Sequence, residues 1–137
     1  MTSYRYLTVW SIFFIGFITA SGSIGQENLP IIVKKIQPST VVILTYNKEG
    51  KRVGQGSGFF ISKDGDVITN SHVLQGASRA EVRTDDGSIY PIKKVLAEDK
   101  EGDLIRVSVE IPKEVVRPLS INTVLPEVGE RVIVVGS

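Results

Sequence analysis

The chain has 137 residues, enough for one domain of ordinary size and too few for two. Its 16 lysines and arginines balance 15 aspartates and glutamates, so it lacks the basic footprint that nucleic-acid binding requires. It has no cysteine and one histidine, which excludes disulfide scaffolds, thiol catalysis and zinc sites built on cysteines or on several histidines.

The first element is a hydrophobic leader. No charge falls between Arg5 and Glu27, and Tyr4, Tyr6, Trp10, Phe13, Phe14 and Phe17 crowd its start. Arg5 is a thin positive region, Leu7 to Ile18 an apolar core, and Ala20-Ser21-Gly22 and Ser23-Ile24-Gly25 offer small residues where a signal peptidase cuts. Residues 1–25 therefore read as a signal peptide or, if uncleaved, a membrane anchor. The short apolar core favours cleavage, because a spanning helix wants about 20 apolar residues. Either way residues 26–137 are expected outside the cytoplasm, periplasmic or extracellular, and tied to a membrane only if the leader is retained.

Beyond the leader the core must come from valine, isoleucine and leucine, which suit pleated, half-buried positions. A short turn of helix is expected at Leu29 to Ile36, and no other window carries a sustained helical period with caps. Strand-like runs then follow in order: Val41 to Leu44, Phe59 to Ile61, Val67-Ile68, Ala80 to Arg83, Ile89 to Leu96, Leu104 to Val109 and Val132 to Val135. Asn47-Lys48-Glu49-Gly50, Lys63-Asp64-Gly65 and Asp85-Asp86-Gly87 lie between them and are hairpin-forming. The expected fold is all-β, a small antiparallel barrel or sandwich.

The lone imidazole, His72, follows the apolar run Val67-Ile68-Thr69-Asn70-Ser71, and the acidic stretch Asp99-Lys100-Glu101-Gly102-Asp103 leads into Leu104-Ile105. An imidazole takes and returns a proton near neutral pH, and a carboxylate on its far nitrogen would fix its tautomer. A histidine followed by an aspartate is also the chain order of the chymotrypsin-type triad. On these residues alone the signal is weak, since a lone histidine at a strand end is usually hydrogen-bonded structure and acidic residues before a strand are usually solvated.

Other patterns lead nowhere. Asp99, Glu101, Asp103 and Glu110 match positions 1, 3, 5 and 12 of a calcium loop, but position 6, which must be glycine, is Leu104. Gly54-x-Gly56-x-Gly58 lacks the Gly-Lys-Ser/Thr ending and the following helix of a phosphate-binding loop.

Taken together, Pro38-Ser39-Thr40-Val41-Val42, Gly56-Ser57-Gly58-Phe59-Phe60-Ile61, Gly65-Asp66-Val67-Ile68-Thr69-Asn70-Ser71-His72-Val73, Asp86-Gly87, Asp99 through Asp103-Leu104 and Val132 to Gly136 resemble the HtrA/Deg family of trypsin-like serine proteases. The resemblance covers about residues 29–137. It implies the first of the family's two antiparallel β-barrels, with His72 as general base and acid and Asp103 as its orienting carboxylate. Asp99 is the rival for that second role. Gly56 and Gly58 are expected to be structural. Val132 to Ser137 matches the strand that closes the first barrel.

The family's nucleophile is a serine in a Gly-Asn-Ser-Gly-Gly segment of the second barrel, and no such segment exists here. Ser137 falls in the wrong place, and Ser57 lacks the Gly-x-Ser-x-Gly flanks, with Gln55 and Phe59 where glycines would stand. The sequence therefore reads as a truncated serine endopeptidase, inactive alone. The alternative is a non-catalytic exported binding or regulatory module of protease ancestry. The resemblance implies polypeptide substrates with exposed or unfolded segments, a possible homo-oligomer in the full-length protein, and no metal or organic cofactor.

Overall fold

In a computed structural model the structure describes residues 29–136. The leader lies outside the described residues, and among those residues no helix is long and apolar enough to cross a membrane. The described residues begin with helix α1 (Leu29–Ile36) and a 3-10 turn (Gln37–Ser39), followed by strands β1 (Thr40–Tyr46), β2 (Arg52–Phe60) and β3 (Asp66–Thr69). A four-residue helix α2 (Ser71–Leu74) precedes β4 (Arg79–Arg83), β5 (Ile89–Asp99) and β6 (Leu104–Val109). The strands close into an antiparallel barrel in the order β1-β2-β3-β6-β5-β4. Of the two sheet arrangements the strand spacing allows, the barrel is the one formed.

The three expected turns join β1 to β2, β2 to β3 and β4 to β5, with Gly50, Gly65 and Gly87 at positive φ as such turns require. Strand β6 alternates as a half-buried strand should: Ile105, Val107 and Val109 are buried while Leu104 and Arg106 are exposed. Strand β1 reads as an unbroken apolar run instead, because Val41 through Thr45 are buried on both faces.

The interior is filled by Val41, Ile43, Phe60, Val67, Val82, Ile105, Val107, Val109 and Val116. Val116 comes from the irregular segment after β6, which is tied to the barrel by the Leu119 amide donating to the Phe60 carbonyl at 2.8 Å. Phe60 is wholly buried, so Phe60→Ala is expected to cost about 3–5 kcal/mol in urea unfolding, a large share of the 5–15 kcal/mol typical of a small domain. A loss below about 1 kcal/mol would mean that Phe60 is not a core residue.

One expectation fails. Val132 to Val135 forms no strand and does not close the barrel. Closure is achieved by β1, which pairs with β2 through Ile43↔Gly56 and with β4 through Ile43↔Val82. Each of the six strands thus has two neighbours, and no edge is left for a seventh. Val132 and Val134 are exposed, while Ile133, Val135 and Gly136 lie against β2 and β3 and line a cavity of about 380 Å³ with Ile36, Phe59 and Leu119.

Candidate active site

His72 sits not in a strand but on α2, one turn of helix between β3 and β4. A helix this short has no stability of its own, so its position depends on what holds it. Asp103 does much of this. Its carbonyl accepts from the Ser71 amide at 3.2 Å, and its Oδ1 accepts from the His72 amide at 3.0 Å. Its second oxygen, Oδ2, lies 2.6 Å from Nδ1 of the His72 ring. One carboxylate thus caps the helix from another element and orients the imidazole that the helix carries.

Asp103 ends the β5–β6 hairpin turn with φ at 52°, the only non-glycine residue at positive φ among those described. That conformation is uncommon outside glycine, although aspartate tolerates it better than most residues. Asp99, the rival carboxylate, is the last residue of β5 and accepts the Gly102 amide at 3.0 Å, so it shapes the turn instead of meeting His72. Ser71 adds a hydroxyl donated to the Glu98 carboxylate on β5. Residues of α2 and β5 border an open cleft of about 620 Å³ that holds His72, Asp103, Glu98 and Lys100.

The carboxyl of Asp103 is held below the usual carboxylate range, first by the His72 amide and then by the His72 ring. A carboxylate whose folded pKa is depressed contributes stability above its unfolded value, about 3.9, and that contribution is lost as pH falls through the lower folded value. Wild type is therefore expected to lose more stability than Asp103→Asn on acidification from pH 5 downward, read as urea midpoints at each pH. Parallel midpoints would contradict the assignment.

Chemically, a carboxylate can only accept, so the ring proton sits on Nδ1 and the Nε2 lone pair is free to take a proton. The side chains of His72 and Asp103 are 66% and 42% exposed. An ion pair that open contributes little to stability.

Comparison with known proteins gives the family. A family profile described as "Trypsin-like peptidase domain" matches residues 56–137, more than half of the sequence. The chain belongs to the trypsin-like peptidase family. Within it the relatives are of HtrA/Deg type. "Serine protease HTRA1A" of Danio rerio is 31% identical over 111 residues, covering 77% of this chain and 23% of that protein. "Protease Do-like 1, chloroplastic" of Arabidopsis thaliana is 33% identical over 85 residues, 61% of this chain and 19% of its own length. "Probable periplasmic serine endoprotease DegP-like" of Marinomonas sp. (strain MWYL1) is 41% identical over 63 residues, 46% of this chain and 13% of that protein. The chain thus spans less than a quarter of the length of these relatives.

Sequence reasoning left out two residues of the site. Asn70 donates from Nδ2 to the Asp103 carbonyl at 3.0 Å, and Val73 packs into the barrel behind His72. Both stand inside the Thr-Asn-x-His-Val string, so the signal was present, but only the position of the turn shows what each touches.

Proposed function

We propose that this chain supplies the general base and its orienting carboxylate to an exported serine endopeptidase. The observation that carries the reading is the double grip of Asp103 on the His72 amide and ring. His72 Nε2 takes the proton of a serine hydroxyl as that oxygen attacks the peptide carbonyl, then returns it to the leaving amine. Asp103 stays ionised and stabilises the imidazolium. No metal or organic cofactor enters these steps.

In this reading residues 26–137 form the first barrel of the protease unit, and the serine comes from a second barrel that these residues do not encode. Substrates are polypeptides, met as exposed or unfolded segments, in keeping with relatives named as proteases. The uncharged stretch before Glu27 and a relative named as periplasmic support action in the cell envelope.

The test is to read the gene past codon 137 and to assay both forms on an unfolded protein substrate. A Gly-x-Ser-Gly-Gly segment further on, with hydrolysis by the longer protein and none by these 137 residues, is the expected result. Hydrolysis by the 137-residue chain that survives His72→Ala would overturn the reading.

A further inference from the structure

Asn70 occupies the N-cap position of α2, where an asparagine ordinarily turns its side-chain oxygen onto the amides of its own helix. Here it does not: no side-chain capping bond is made within α2. The side chain reaches 33 residues along the sequence instead, and Nδ2 donates to the main-chain carbonyl of Asp103. The opposite amide orientation would set two acceptor oxygens against each other, so the donor end is the one that fits.

The task of capping is passed to Asp103, whose carboxylate takes the His72 amide. The two residues are therefore exchanged. Asn70 holds the backbone of Asp103, and Asp103 caps the helix that begins after Asn70. The Asp103 carbonyl receives two donors, the Asn70 amide and the Ser71 N–H, at the residue whose φ is 52°. A left-handed backbone away from glycine persists only where its surroundings over-determine it.

We propose that Asn70 is a positioning residue, clamping the main chain of Asp103 in the left-handed conformation that lets one carboxylate hold both the amide and the ring of His72. The inference extends the general-base reading of His72, but it stands on hydrogen bonds that exist whether or not the chain hydrolyses anything.

Asn70→Ser and Asn70→Ala in the full 137-residue chain separate the clamp from an ordinary cap. Serine is as good an N-cap as asparagine, carries no charge, and is too short to reach the Asp103 carbonyl. A clamp predicts that both variants fail alike. Amide exchange at Ser71 and His72 speeds up by about threefold to tenfold, the range expected for losing one hydrogen bond. The Asp103 carboxyl, followed by carbon NMR, titrates closer to an ordinary carboxylate. The low-field Nδ1 proton of His72, unambiguous because the chain has one histidine, broadens or disappears.

If serine restores wild-type behaviour and alanine does not, Asn70 is a helix cap and the proposal is wrong. Wild-type behaviour in both variants removes any role. If both unfold the barrel, judged by the amides of β1 and β6, Asn70 supports the fold at large and the clamp is also rejected. No readout uses proteolysis, so a chain without protease activity could still pass this test, and an active one could fail it.

Discussion

In the longer enzyme of the proposed function, which would join this barrel to its serine, His72→Ala is expected to lower kcat for peptide hydrolysis by about 10⁶-fold, the loss seen when a triad histidine is removed from a related mechanism. The chain offers no second imidazole to replace it. Asp103→Asn is expected to cost about 10⁴-fold by a different route. Asparagine has one acceptor oxygen where aspartate offers two. If that oxygen keeps the His72 amide, the NH₂ faces Nδ1, and the ring must carry its proton on Nε2. A proton there blocks the atom that has to receive the serine hydrogen.

The two variants are told apart by pH. His72→Ala removes the titrating group, and the residual rate should lose its fall on acidification, whereas wild type must slow as the imidazole takes up a proton. A steady-state profile for each enzyme decides the matter. An unchanged acid limb in His72→Ala would assign that limb to another group and remove His72 from the mechanism.

The exposure of the pair bears on how much of this power the barrel can hold by itself. Water around a His–Asp pair screens it, and the field of Asp103 on a developing imidazolium is strongest only where water is excluded. With both side chains open to solvent in this barrel, catalytic strength has to come from whatever covers the cleft. Under the proposed function, in which the serine comes from a second barrel, removing the base from these 137 residues alone would change nothing measurable. The test of His72 therefore belongs in the longer enzyme, and the tests of geometry belong in this chain.

Much of the barrel was legible because its signals are local. Asp85-Asp86-Gly87 forms the turn its composition demands, and the alternation from Leu104 to Val109 assigns Ile105, Val107 and Val109 to one face, where they are indeed buried. Val132 to Val135, an apolar run matched through the family resemblance to the closing strand, forms no strand, and neither the run nor the resemblance reveals whether a sheet has a free edge. That is decided by β1 meeting β4, a pairing between residues about 40 positions apart. At the site, the meeting of His72 with Asp103 was reached through family resemblance, since spacing alone left Asp99 in contention. Asp99 is set aside by a feature of the hairpin that composition does not encode, the hydrogen bond its carboxylate accepts from the Gly102 amide. Val116 was invisible for a similar reason: it enters the core from a segment with no periodicity.

The glycines of β2 carry the second large prediction. Gly54, Gly56 and Gly58 pair with Thr45, Ile43 and Val41, and directly paired residues share a face, so this stripe points into the barrel. A missing side chain on each leaves room for someone else's. At Gly56 the space is taken by Val73 of α2: a Cβ there would lie 2.6 Å from Val73 Cγ2 and 3.2 Å from its Cβ. Valine is stiff about χ1 and cannot swing its branched end clear without moving the backbone. Gly56→Ala should therefore destabilise by about 1–3 kcal/mol through overpacking. It should also lift α2 and pull His72 away from Asp103, although neither residue is altered. Val73→Ala empties the contested space, so the double variant Gly56→Ala/Val73→Ala is expected to be more stable than the sum of the single changes by about 1 kcal/mol or more, a coupling that urea titration of the four proteins measures directly. Additive single effects would mean that α2 is not seated on Gly56. In the longer enzyme the same displacement predicts a kcat lowered about 10²-fold in Gly56→Ala, since a shift near 1 Å in a catalytic group costs that much. Recovery of kcat in the double variant would separate this loss of position from a loss of chemistry.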